Sequence, residues 1–192
     1  MESHWSRLFR KGVMAVTFMA AVLFSGLMYS LFWVVPDGDE GRQWLVHWRP
    51  LLLRNAWTQT PEVPPQTVME WQRQGLNIWI VDVRTEEERL VSMIPGAMSL
   101  EEYAVRTVSE EPDRVVAYCT IGIRSGQWVD QNQTTIKSVA NLEGGILGWT
   151  HIQGALEEPG RQRGHQRRAA TRRVHVQAAY WNLVADGYEG VW

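Results

Sequence analysis

Hydrophobic positions follow different rhythms in different parts of the chain. From Gly12 to Val35 no residue is charged. A helix over that stretch is about 36 Å long at 1.5 Å per residue, more than the roughly 30 Å of a bilayer's hydrocarbon core. The run predicts a membrane-spanning helix, with Tyr29 and Trp33 near one end where aromatic side chains form an interfacial belt. The other reading is a cleaved signal peptide, whose apolar core is about 7–15 residues and ends in small residues. This run is longer, and Phe32-Trp33-Val34-Val35-Pro36 makes a poor cleavage site, which favours an uncleaved anchor. Next, Trp44, Leu45, Trp48, Leu51, Leu52 and Trp57 recur near helical spacing among Arg42, Arg49 and Arg54. Two readings stand: an amphipathic helix lying on a membrane surface, or a helix packed on the domain that follows. Pro61, Pro64 and Pro65 then break the chain and mark where that domain begins.

Beyond the prolines the pattern alternates. Thr67 to Gln74 reads as a short helix stopped by Gly75. Ile78 to Val83 is apolar up to Asp82, as a strand buried on both faces should be. Glu86-Glu87-Glu88 opens another helix, with acids at the positive end of its dipole. Val115 to Tyr118 is a second strand, Ser125 to about Thr135 a helix, and Val139 to Leu142 a third strand. Such alternation predicts an α/β fold with a parallel sheet and helices on both faces. Ligand sites in such sheets lie at the C-terminal ends of strands. Near the end of the chain, Val174 to Gln177 alternates like a strand, and Trp181, Leu183, Val184, Tyr188 and Trp192 have the character of packed cover.

Charge sharpens this division. Residues 36–160 hold 10 Lys/Arg and 18 Asp/Glu, a balance of −8, whereas residues 161–192 hold 6 Arg and 2 acids, a balance of +4. Arg7, Arg10 and Lys11 precede the apolar run, and Asp37, Asp39 and Glu40 follow it. The excess of positive charge on the inner side of membranes places the N-terminus in the cytoplasm and the body in the periplasm or a lumen. Arg167-Arg168 and Arg172-Arg173 are a candidate patch for nucleic acid or anionic lipid. In that compartment a solvated loop folded back on the acidic body is favoured, and no nucleic-acid partner is expected. His4, His47, His151, His165 and His175 show no ligand spacing, so no metal is expected. Asn132-Gln133-Thr134 matches a glycosylation sequon by chance, since it falls on a helix.

The single cysteine excludes an internal disulfide. It ends the second strand, in Val115-Val116-Ala117-Tyr118-Cys119-Thr120-Ile121-Gly122-Ile123-Arg124-Ser125-Gly126. Strand, tight loop and helix start follow one another here. Gly122 lets the loop curl without a Cβ clash, so successive amides can form an anion nest backed by the helix dipole. Such a field favours a thiolate. The alternative is an inert buried cysteine. Arg124 can hold an anionic donor with its fork of N–H groups or pair with a carboxylate. Asp82 and Arg84, at the end of a buried strand, are expected to form a structural ion pair, and Glu88 is read the same way. Gly144-Gly145 is expected to be a tight turn, and Trp149 to close the core or wall the pocket.

The loop Cys119-x-x-Gly122-x-Arg124-Ser125 resembles the active-site loop of the rhodanese family, sulfurtransferases that carry sulfur as a cysteine persulfide. Ile80-Val81-Asp82-Val83-Arg84 with Ile94-Pro95-Gly96-Ala97 resembles the family's upstream block, and Asn141-Leu142-Glu143-Gly144-Gly145-Ile146-Leu147-Gly148-Trp149 its closing block. The family usually has Gly-His where Ser92-Met93 stands; the departure touches a turn, not the loop. Cysteine phosphatases enclose five residues between Cys and Arg, and Cys119 and Arg124 enclose four, a cradle suited to sulfur and too tight for phosphate.

The resemblance implies a rhodanese-like parallel sheet flanked by helices, and the apolar run places one transmembrane helix before it. The expected organisation is a basic cytoplasmic N-terminus (1–11), the span (12–35), a juxtamembrane segment (36–62), the rhodanese-like domain (63–153) and a basic loop with a C-terminal extension (154–192). It implies Cys119 as nucleophile, with Thr120, Ile121, Gly122, Ile123, Arg124 and Ser125 around the substrate, and Asp82, Arg84 and Glu88 as structural neighbours. The implied partners are a small sulfur-donor anion such as thiosulfate, or a persulfide, and a thiol or cyanide acceptor, with no cofactor. A non-catalytic interaction module of the same fold, or a thiol sensor oxidised at Cys119, is the competing reading.

Overall fold

The computed structural model describes residues 4–53, 60–106, 110–159 and 169–192. The chain divides into two compact units, Met1–Val34 and Val35–Trp192. In the first, α1 runs from His4 to Trp33. Within it Val13–Leu31 has a mean hydropathy of 1.8 and none of it is buried, so it is long and apolar enough to cross a bilayer. Thr17 returns its hydroxyl to the Val13 carbonyl at 3.1 Å, so that hydroxyl is satisfied within the helix. The helix starts earlier than the uncharged run, because Arg and Lys are good helix formers. It ends shortly before Pro36, since a residue preceding proline is pushed out of the helical region.

The second unit opens with α2 (Asp39–Leu53), whose first turn carries Asp39 and Glu40. Leu45, Val46, Arg49 and Pro50 are buried against the body, and Trp44, Trp48, Leu51, Leu52 and Leu53 are exposed on the outer side. Packing on the domain is therefore the observed arrangement of this segment; residues 54–59, including Trp57, lie outside the described residues.

Among the described residues, five short strands form one parallel sheet: β1 (Glu62–Val63), β2 (Ile78–Asp82), β3 (Met98–Ser99), β4 (Arg114–Tyr118) and β5 (Val139–Leu142), in the order β1-β5-β4-β2-β3. Helices α3 (Pro65–Arg73), α4 (Glu86–Val91), α5 (Leu100–Arg106), α6 (Ile123–Asn132) and α7 (Gly145–His151) connect them. Strand alternation sends Trp79, Val81, Val115 and Ala117 into one core, where Met98, Val129 and Val139 meet them. The central strands β2 and β4 are apolar except for Asp82 at the end of one and Arg114 at the start of the other, because helices cover both faces. The edge strands β1 and β3 are two residues each, too short to leave a periodic signal in the sequence.

The C-terminal extension is part of the same body. β6 (Leu156–Glu158) pairs antiparallel with β7 (Ala169–Thr171), and β8 (Arg173–His175) pairs parallel with β9 (Glu189–Val191). Val174, Val176 and Leu183 are fully buried. The expected strand stops at His175, because Gln177 turns to φ 66°. Arg172 lies over the Tyr188 ring at 4.6 Å, so it is packed on the extension itself; Arg167 and Arg168 lie outside the described residues.

Candidate active site

Cys119 follows β4 directly and is 1% exposed. The Gly122 amide donates to its Sγ at 3.2 Å. Gly122 has φ 90° and caps α6. A Cβ there would sit 3.2 Å from Asn141 Nδ2 and 3.4 Å from the Leu142 carbonyl, so both conformation and space call for glycine. Asn141 fixes the turn by donating to the Gly122 carbonyl at 3.1 Å. The first turn of α6 thus begins at the loop, with its positive end beside the sulfur.

Gly144 and Gly145 do more than turn the chain. Their φ values of 68° and 57° start α7 so that Ile146 and Leu147 donate to the Cys119 and Thr120 carbonyls at 2.8 and 3.1 Å. A Cβ on Gly145 would collide with the Cys119 carbonyl, and one on Gly144 would sit 2.6 Å from Val46 of α2. The loop is therefore gripped from behind by one helix, and that helix is in turn backed by another.

Two acid–arginine pairs flank this loop. Asp82 and Arg84 meet at 2.7 Å with both side chains fully buried. Arg84 also donates to the Ser92 carbonyl at 2.6 Å, and the Tyr118 hydroxyl donates to Asp82 at 2.5 Å. Burial works against charge on Arg84, and Asp82 outweighs it, holding the guanidinium above its ordinary pKa. Burial first, and Asp82 second, push the Tyr118 hydroxyl up. Ser92 is extended, with φ −169°, so nothing in its backbone requires the glycine usual at that position.

Glu88 lies at the site itself. It takes Arg124 through two bonds of 2.8 and 2.7 Å, the Thr120 hydroxyl at 3.0 Å and the Thr85 amide at 3.0 Å. Burial opposes its ionisation, but Arg124, Thr85 and Thr120 outweigh that and bring the carboxyl down to about 2. For Arg124, burial is likewise outweighed, by Glu88 and the Cys119 sulfur, and its pKa rises. Thr85 and Glu88 close a reciprocal capping box on α4, a pattern readable as Thr85-x-x-Glu88 that would have marked Glu88 as oriented. Ser125 is fully buried, and its Oγ has no hydrogen-bond partner among the described residues.

Above the sulfur is a cavity of about 150 Å³, lined by Cys119, Thr120, Ile121, Ile123, Arg124, Gln177 and Trp181. Trp149 is absent from this lining; it is 3% exposed and donates to the Ala155 carbonyl at 3.0 Å, inside the core. The aromatic wall comes instead from Trp181, a residue expected in packed cover. No group of three or more His, Cys, Asp or Glu side chains suited to a metal occurs among the described residues. Asn132 ends α6 with its side-chain amide donating to the Trp128 carbonyl at 2.7 Å.

Residues 65–152 match the family model for the rhodanese-like domain. A protein named sulfurtransferase from Allochromatium vinosum is 35% identical over 92 residues, which is 46% of this chain and 86% of that one. The solution structure of a rhodanese-like domain from Anabaena sp. aligns at a TM-score of 0.45 with 22% identity, covering 56% of this chain and 87% of that one. The crystal structure of thiosulfate sulfurtransferase from Pseudomonas aeruginosa aligns at 0.47 with 23% identity, covering 76% of this chain and 27% of that one.

Proposed function

The chain belongs to the rhodanese-like family, and from that membership we propose that it is a membrane-anchored sulfurtransferase whose Cys119 carries sulfur as a persulfide. The observation that carries this reading is the seat of the thiol. Its sulfur lies at the floor of a small cavity, with the Gly122 amide on it at 3.2 Å and the start of α6 beside it. In the first step the Cys119 thiolate attacks the outer sulfur of thiosulfate or of a persulfide. A new S–S bond forms, the donor's S–S bond breaks, and sulfite or a thiolate leaves with the electron pair. The outer sulfur then lies within the turn from Thr120 to Ser125, whose amides and the α6 dipole stabilise its negative charge. In the second step cyanide or an acceptor thiolate attacks that outer sulfur, and the Cys119 thiolate leaves. Arg124, matched by Glu88, keeps the rim of the cavity rigid while its charge faces the sulfur. The scheme uses no cofactor.

Intact mass tests the first step. Incubation of the chain in detergent with thiosulfate or an alkyl persulfide should add about 32 Da, and cyanide should remove it. Cys119→Ser should gain nothing while melting within a few degrees of the parent. Failure of every donor to add sulfur overturns the reading.

The anchor is α1, with the N-terminus cytoplasmic and the body on the periplasmic or lumenal side, by the asymmetry of Arg7, Arg10 and Lys11 against Asp37, Asp39 and Glu40. Protease added outside the cell, or to spheroplasts, should digest the body. A body protected until detergent is added reverses the orientation.

A further inference from the structure

Two walls of the cavity over Cys119 come from outside the segment that matches the family model. That segment ends at residue 152, and Gln177 and Trp181 follow it in the C-terminal extension. Neither is loosely placed. Val174 and Val176, just before Gln177, are fully buried. Gln177 donates to Glu88 at 3.2 Å, and so joins the carboxylate that also holds Arg124 and Thr120. Trp181 is supported from behind by α2: Arg49 lies 5.6 Å from its ring centroid and donates to the neighbouring Tyr180 carbonyl. Arg49 is itself completely buried. The wall over the sulfur is thus set into the fold and braced by an element that precedes the matched segment.

A cavity of about 150 Å³ is of the order that holds one benzene-sized molecule. We propose that the C-terminal extension selects the sulfur carrier by size: Trp181 and Gln177 narrow the approach to Cys119 so that only carriers with a slender stem beside the reacting sulfur enter. The identity of the ligand rests on the sulfurtransferase reading; the size limit rests on the geometry of the cavity alone. Carriers in this class are short alkyl persulfides and thiosulfonates, and a carrier with a branched ring one carbon from its sulfur is excluded. The apolar faces of Ile121, Ile123 and Trp181 suit such a stem.

Methanethiosulfonate reagents read this limit without requiring sulfane transfer. The Cys119 thiolate attacks the sulfenyl sulfur, a mixed disulfide forms, the S–SO2 bond breaks, and methanesulfinate leaves with the electron pair. Cys119 is the only cysteine, so intact mass reports this site alone. The rates of methyl methanethiosulfonate and of the tetramethylpyrroline spin-label analogue are compared on the 192-residue chain in detergent. The same pair on the chain unfolded in denaturant gives the intrinsic ratio. The folded parent should favour the methyl reagent over that intrinsic ratio by about 100-fold or more, and Trp181→Ala should cut the preference by about tenfold or more. Gln177→Gly should also cut it, and glycine suits the φ of 66° there, so this variant keeps its fold. A folded parent with only the intrinsic ratio overturns the proposal, as does an unchanged preference in whichever variants melt cooperatively. A chain that shows the size limit but never gains sulfur loses the sulfurtransferase reading and keeps the size filter; a chain that gains sulfur without a size limit does the reverse.

Discussion

The pairs Asp82–Arg84 and Glu88–Arg124 use the same chemistry a few residues apart. Each is a carboxylate held by a guanidinium through both of its oxygens, with a hydroxyl added from β4 or from the residues that follow it. Their surroundings differ. Both side chains of the first pair are fully buried, whereas Arg124 of the second is 34% exposed over a 3% exposed Glu88. The first pair ties β2 to the Ser92 carbonyl and to Tyr118, the residue before the cysteine. In the second, Arg124 lines a cavity and Glu88 accepts from Thr120 of the loop. Identical ion pairs thus serve the sheet in one place and the site in the other, and access to solvent is what separates them.

Removing one partner of the fully buried pair should have the largest effect. Asp82→Asn leaves Arg84 charged and poorly matched in the core, at a cost of about 3–5 kcal/mol. Denaturant unfolding should show it, with sulfur loading lost only in proportion to unfolding. A stable, inactive variant would break the distinction, because Asp82 would then act at the site.

Glu88→Gln comes next, at about 1–3 kcal/mol, since Arg124 keeps some water. It also releases the charge of Arg124 toward the cavity, so sulfur loading from thiosulfate should rise relative to mixed-disulfide formation with a neutral thiosulfonate. The pH profile separates the roles. The Glu88 carboxyl is depressed to about 2 in the fold from an ordinary 4.5. Its contribution is therefore complete above about pH 4.5 and is lost as pH falls through about 2. The parent should lose stability over that window more steeply than Glu88→Gln; equal slopes would show that Glu88 carries no linked proton.

Arg124→Lys should be mildest. The charge stays and the two-pronged contact with Glu88 goes, for about 0.5–1.5 kcal/mol. Loading should slow while the melting temperature barely moves. A fall in melting temperature as large as that of Asp82→Asn would erase the contrast between the pairs.

Much of the fold was legible because burial on both faces writes itself into sequence. Ile78–Asp82 and Arg114–Tyr118 are nearly continuous apolar runs, and covering helices impose just that composition. The loop was legible because a φ of 90° at Gly122 and a thiol at a strand end need particular residues in a fixed local order. The two-residue edge strands were not legible, since they are held by pairing partners distant in sequence, Glu62 with Asn141 and Val81 with Met98. The apolar stripe of α2 was visible, but periodicity reports that a face is apolar and not what covers it. Its burial against the body depends on Val46 meeting Gly144.

By itself the sequence determined the apolar span, the parallel α/β alternation and a cysteine loop of fixed length, because each is a short-range pattern of hydrophobicity, φ and spacing. Tertiary structure decided which arginine partners which acid, which tryptophan faces the sulfur, and that Gly145 must lack a Cβ. Trp149 lies near the loop in sequence and is buried in the core, while Trp181 lies 62 positions beyond Cys119 and walls the cavity. A side chain's neighbours are set by where distant segments pack, and the Arg49 brace behind Trp181 joins elements from the two ends of the body that no local pattern relates.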